Sequence, residues 1–341
     1  MKRTSIVVLA FVAASLALAN AKPAHRGHDE LLVAAMSAPS TVSYTGVVQV
    51  VRIGNSASQA AVYRVEHRAP DLTRRTYTSP SSLLGDSLVS NGDLSFSIDP
   101  KRRRIVEMRS DAVEETVALS ANLALLRENY DVVSKGNETY AGRRAVDLVL
   151  MNKHTRRPTM LVRIDRDSDI VLDKEEFGAD GSLVSELRFE EIRYATAIPQ
   201  SDFALPKTYS LVRGPAFAEP SENLTSVVRS AGFSAREPRA LADGFSPIEG
   251  NLVQMRGIVT LHVLYSDGIR TVSLFENAKA STLDVARLNP RDLQVGGHDA
   301  EYAEDGPAAL LAWNDGALYY TLVGELDLPE FERLAASIEK P

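Results

Sequence analysis

The chain has 341 residues and no cysteine, which excludes disulfides, thiolate nucleophiles and Cys-ligated metals. With 44% apolar and 24% charged residues it has an ordinary globular composition, and it is long enough for two domains. A formal charge of −7 makes nucleic acid and anionic membrane surfaces poor partners.

Residues 1–21 read as a cleaved secretory signal. Lys2 and Arg3 open it, Ile6 to Leu18 is almost wholly apolar, and Ala19-Asn20-Ala21 offers a small-x-small cleavage site. The apolar run is shorter than the roughly 20 residues that span a bilayer. The mature chain is therefore expected to be exported and not membrane-embedded. Its charge moves from −7 to −9 once Lys2 and Arg3 are lost. Export without cysteine suits a bacterial periplasm.

Asp29 then opens a short helix over Glu30–Met36, closed by Pro39. A long region of period-two alternation follows, the mark of strands with one buried face. Ala61, Tyr63 and Val65 face away from Arg64 and Glu66, and Leu94, Phe96 and Ile98 stand against Ser95 and Ser97. The pattern repeats at Val146, Leu148 and Leu150, at Met160, Val162 and Ile164, and at Leu187 and Phe189. Asn91-Gly92-Asp93, Arg166-Asp167-Ser168 and Asp180-Gly181 punctuate these runs as turns. Between them, Leu119, Leu123, Leu126 and Tyr130 form one stripe of a helix expected over Ala112–Asn129. So little helix for so much sheet predicts a curved antiparallel sheet with a helical plug, a geometry that encloses an apolar cavity.

Pro199, Pro206, Pro215 and Pro220 mark a linker, placed at 207–221 between a first domain over 29–206 and a second over 222–341. In the second, Asp267-Gly268 and Asn314-Asp315-Gly316 each predict a hairpin. Asp327 and Pro329 start a final helix whose Phe331, Leu334, Ala335 and Ile338 face one way. The fold class is thus α+β in two parts.

Two motifs imitate chemistry. Gly85-Asp86-Ser87-Leu88 spells the block of the GDSL hydrolases, but no histidine has Asp three positions before it, and a serine without its base is a weak nucleophile. Asp165, Asp167, Asp169 and Glu176 mimic a calcium loop, yet Ile170 stands where the sharp turn needs Gly. No cofactor and no metal site is indicated, and the site is expected to be a binding surface rather than an enzyme's active site.

At this point the residues resemble a known family. Leu264-Tyr265-Ser266-Asp267-Gly268-Ile269, followed by Val272-Ser273-Leu274-Phe275, resembles the Tyr-Ser-Asp-Gly-Leu hairpin of the RseB/MucB family of periplasmic sigma-E regulatory proteins. Leu322-Val323-Gly324-Glu325-Leu326 and the helix after it are similar to that family's closing elements, and Asp243-Gly244-Phe245 sits where the family has Gly-Phe. Tyr130-Asp131-Val132-Val133-Ser134, Gly142-Arg143-Arg144-Ala145 and Val162-Arg163-Ile164-Asp165 follow in the family's order, covering about residues 29 to 340.

The resemblance implies a LolA-like half-barrel, similar to lipoprotein carriers, with an apolar site for acyl chains, followed by a smaller domain. It implies a negative regulator of the envelope stress response that grips the periplasmic domain of a membrane anti-sigma factor and senses acylated ligands. A periplasmic lipoprotein or lipid carrier is the alternative. The acyl site is expected at Tyr63, Val65, Phe96, Ile98, Leu148, Leu150, Val162, Ile164, Leu187 and Phe189, beneath Leu119, Leu123 and Leu126.

Overall fold

Alternation becomes strand wherever the sequence carries it. The computed structural model describes residues 27–53, 58–92, 94–109, 122–194, 197–213, 220–281, 285–305 and 308–339. Six strands come first: β1 (Tyr44–Ile53), β2 (Ser58–Arg68), β3 (Leu72–Ser79), β4 (Ser87–Asn91), β5 (Leu94–Asp99) and β6 (Arg104–Arg109). Six more follow: β7 (Tyr130–Tyr140), β8 (Arg143–Asn152), β9 (Pro158–Asp165), β10 (Val171–Phe177), β11 (Leu183–Tyr194) and β12 (Ser210–Arg213). They form one large open curved sheet in the order β12-β6-β5-β4-β3-β2-β1-β11-β10-β9-β8-β7.

Neighbours are antiparallel except β12, which runs parallel to β6. These four residues fall inside the expected linker, and they cover what would otherwise be an unpaired edge of the sheet. Bulges bend the long strands. Val47 pairs with Glu191 and Val48 with Phe189, so Glu190 is an inserted residue on β11.

Helix α1 (His28–Ser37) matches the expected N-terminal helix and buries Leu32 and Ala35. Helix α2 (Leu123–Asn129) is the described end of the long expected helix, and 112–121 lie outside the described residues. Asn122 caps it by accepting from the backbone N–H of Ala124 and Leu125.

The smaller part is a seven-stranded sheet of β13 (Ser246–Met255), β14 (Ile258–Ser266), β15 (Thr271–Asn277), β16 (Arg291–Val295), β17 (His298–Asp305), β18 (Ala308–Asn314) and β19 (Tyr319–Gly324). Their order is β13-β14-β15-β19-β18-β17-β16. A six-residue helix, α3 (Leu224–Arg229), precedes this sheet, and α4 (Leu328–Glu339) covers it with Phe331, Leu334, Ala335 and Ile338. Asp327 and Glu330 form a capping box: the Asp327 carboxylate accepts from the Glu330 N–H at 2.9 Å, and Glu330 accepts from the Asp327 N–H at 3.2 Å. Among the described residues no helix is long and apolar enough to cross a membrane.

Candidate functional site

Nine of the expected acyl-site residues meet in one cluster. Tyr63, Val65, Leu126, Leu148, Leu150, Val162, Ile164, Leu187 and Phe189 are all buried there, packed with Leu32 and Ala35 of α1. None of the nine exceeds 4% exposure, so in this conformation α1 and α2 close over the apolar face. Leu123 is half-buried on α2, and Leu119 lies outside the described residues. Phe96 and Ile98 belong elsewhere. They pack with Val89, Ile105, Ile198 and Phe203 in a separate cluster near the other edge of the sheet. Alternation correctly placed them on an apolar face, but that face serves two clusters.

A second feature, which pattern reading did not single out, lies where the two sheets meet. The turn joining β14 to β15 inserts between the small sheet and α2. Its Asp267 is fully buried and accepts four hydrogen bonds. The Ile269 and Arg270 N–H groups donate to Oδ1 at 3.0 and 2.8 Å, and Arg270 Nε and the Tyr130 hydroxyl donate to Oδ2 at 2.9 and 2.6 Å. Arg270 also reaches Glu330 at 2.6 Å and lies over the ring of the buried Phe245. Burial works against the Arg270 charge, but Asp267, Tyr130 and Glu330 outweigh it and hold the guanidinium well above its ordinary pKa. Burial likewise pushes the Tyr130 phenol up, with the neighbouring Asp267 adding to the effect.

Close approach of backbones fixes two glycines at this junction. Gly268 has φ +113°, and a Cβ there would meet the Leu126 backbone nitrogen at 2.4 Å, while its carbonyl accepts from the Asn122 N–H at 2.9 Å. Gly244 has φ +90° and faces the Asn129 side chain at a distance that leaves no room for a methyl group. Asn129 donates to the carbonyls of Gly244 and Asp267, and its own oxygen faces His154 Nε2 at 2.7 Å. Asn152 donates to the Asp243 carbonyl. Beyond them, Arg52 pairs with Glu325, and the Ala179 N–H donates to Asp327 at 2.8 Å. Ile269 completes the contact by packing against the core of the large sheet. The Asp-Gly pair at 267–268 was legible as a turn, and Asp243-Gly244 only through the family resemblance. The docking of the 267–268 turn was not legible, because Asp267 and Tyr130 stand 137 residues apart.

The calcium-like acidic run is a hairpin turn. Asp165 is fully buried, and its carboxylate accepts from Arg143, the Tyr194 hydroxyl and the Asp167 N–H, contacts that outweigh burial and lower its pKa. Ser87 of the hydrolase-like block is the buried first residue of β4.

Comparison with known proteins adds identity to this geometry. The model of the MucB/RseB N-terminal domain matches residues 28–206, and a domain of unknown function (DUF4367) matches 235–338. No curated protein sequence matches the chain. The Pseudomonas aeruginosa MucA/MucB complex is 17% identical, covering 91% of this chain and 97% of that one with a TM-score of 0.62. MucB in complex with MucA(peri) gives 17% identity, 91% and 98% coverage and a TM-score of 0.61. MucB alone gives 17%, 91%, 96% and 0.54. At that identity the structures establish a shared fold across both sheets. The sequence match over 28–206 spans more than half of the chain and establishes more: the chain belongs to the MucB/RseB family.

Proposed function

We propose that this chain is a periplasmic regulator that holds the periplasmic segment of a membrane anti-sigma factor and loosens that hold when it binds an acylated ligand. The observation that carries the partner reading is the likeness to MucB over both sheets, in structures that include complexes with MucA. The signal-like residues 1–21 support export of the chain.

The sensing step rests on α2, which has two loyalties. Leu126 helps to close the apolar face of the large sheet, while the backbone of the same residue touches Gly268 of the small one. An acyl chain entering beneath α1 and α2 would be stabilised by about 0.8 kcal/mol per buried methylene. To make room it must lift Leu126, and lifting Leu126 strains the contact with Gly268. Ligand occupancy is thereby converted into domain rearrangement, and the ligand shifts the equilibrium only by its preference for the lifted form.

The test is co-purification of the full chain with a membrane anti-sigma factor's periplasmic segment, followed by titration with a peptide carrying or lacking a palmitoyl chain. The acylated peptide should bind and weaken the protein complex about tenfold, equivalent to roughly 1.4 kcal/mol. Leu148→Glu should remove that response. Failure to co-purify would overturn the partner, and lipid binding without a partner would mark a carrier. Undiminished partner affinity at saturating acylated peptide would overturn the sensing step.

A further inference from the structure

Away from the junction, the small sheet carries a cavity of about 370 Å³ between β14, β15 and the segment 236–241. Leu261, Val263 and Leu274 rise into it from the sheet, and Leu241 and Ile338 close it from above. Glu237 and Arg239, both exposed, line it where it meets the surface.

One wall position breaks the apolar pattern. Glu276 stands in register between Leu261 and Tyr320, is 2% exposed, and accepts from the Arg236 backbone N–H at 2.7 Å. Carboxylates are almost never this buried without a cationic partner. The two arginines beside the cavity are engaged elsewhere. Arg236 binds Asp315 at 2.7 Å, the Tyr320 hydroxyl at 2.6 Å and the Ile338 carbonyl, and Arg239 donates to the carbonyls of Ser337 and Ile338. An apolar cavity with one inward carboxyl has a definite complement: a hydrocarbon body carrying a cationic hydrogen-bond donor.

We propose that this cavity binds a small amphiphilic amine, its apolar body of about ten non-hydrogen atoms against the leucines and its ammonium on Glu276. The site is separate from the expected acyl face and does not depend on the regulator reading.

Burial raises the Glu276 carboxyl to about 7, with Arg236 partly offsetting the rise and Asp315 adding to it. The other charged or titratable neighbours are Glu237 and Arg239 on the covering segment, Tyr265 on β14 and Tyr320 on β19. An ammonium binds the ionised carboxyl, so amine affinity should climb about tenfold from pH 6 to pH 8 as the competent form becomes dominant.

Calorimetry of the full chain with octylamine, 1-octanol and octanoate tests this. At pH 8 octylamine should bind about tenfold tighter than octanol, the worth of a charge-assisted hydrogen bond. The preference should fade at pH 6 and vanish in Glu276→Gln, while Leu274→Trp should weaken all three ligands by filling the space. Failure of octylamine to bind at millimolar concentration, a preference for octanoate, or an unchanged amine preference in Glu276→Gln would overturn the proposal. If Glu276→Gln does not fold, the pH series on the unaltered chain decides.

Discussion

The carboxylate of Asp267 serves a turn with one oxygen and a junction with the other. Tyr130→Phe deletes the junction bond and, with it, the hydroxyl's contact with the Asn152 side chain. Because the acceptor is charged, the loss should be about 1.5 kcal/mol in urea denaturation, and a change under about 0.5 kcal/mol would mean that the bond is not made in solution. Glu276 gives a pH signature. Its folded pKa of about 7 lies above the ordinary 4.5, so its favourable contribution is full below 4.5 and is lost as pH rises toward and through 7. His262 runs the other way: burial lowers it from 6.5 to about 4, so its contribution is full above 6.5 and is lost as pH falls toward 4. The two oppose each other in the acid range, which is why a comparison with Glu276→Gln is needed to see the carboxyl alone. The variant should gain about 2 kcal/mol relative to the parent chain between pH 5 and pH 8. A flat difference would show that Glu276 ionises normally. Alternation puts Glu276 on the face of Val272 and Leu274. Only the pairing with β14 and β19 shows that this end of the face is buried as well.

Elements were more legible than the joints between them. The strands β2, β5, β8, β9 and β11 follow from alternation, the β14–β15 and β18–β19 hairpins from their Asp-Gly turns, and α4 from its Asp327 cap and apolar stripe. Phe96 and Ile98 were drawn into the wrong cluster because periodicity defines a face and says nothing about which end of a twelve-stranded sheet a face belongs to. Four residues of the expected linker are paired for a related reason. Ser210–Arg213 has too few residues to show alternation, and it becomes a strand only because β6 offers an edge. The cap on α4 does double service, since Asp327 holds the helix start and the Ala179 N–H of the large sheet's β10–β11 turn. Asp327→Ala should therefore cost about 2 kcal/mol, the upper end for a cap. An effect of a few tenths would assign both bonds to solvent-exchangeable geometry. Gly268→Ala meets a backbone rather than a flexible side chain, so relief requires the turn and α2 to separate. Its expected effect is a larger radius of gyration in X-ray scattering with the β14–β15 hairpin intact. An unchanged radius would show that α2 yields instead.

At the scale of the whole molecule, two sheets with separate cores are coupled through Ile269, the Asp267–Tyr130 bond and the Arg52–Glu325 pair. The single tryptophan, Trp313, lies on β18 and reports only the small sheet. In the parent chain its fluorescence and the far-ultraviolet circular dichroism should trace one urea transition, the sign of joint unfolding. In Gly268→Ala the two signals should part. Early divergence in the parent chain would mean that the junction contributes little to cooperativity. The junction has a further consequence for chain connectivity. Its contacts are made by Arg52 of β1, α2, β7, the end of β8, the β10–β11 turn, the 243–244 turn, the β14–β15 turn, Glu325 and the start of α4, and the described residues between Pro206 and Pro220 take no part in them. Severing the backbone there by an engineered protease site should leave the two fragments associated and co-eluting. The pieces, expressed as separate polypeptides, should find each other and rebuild the intact molecule.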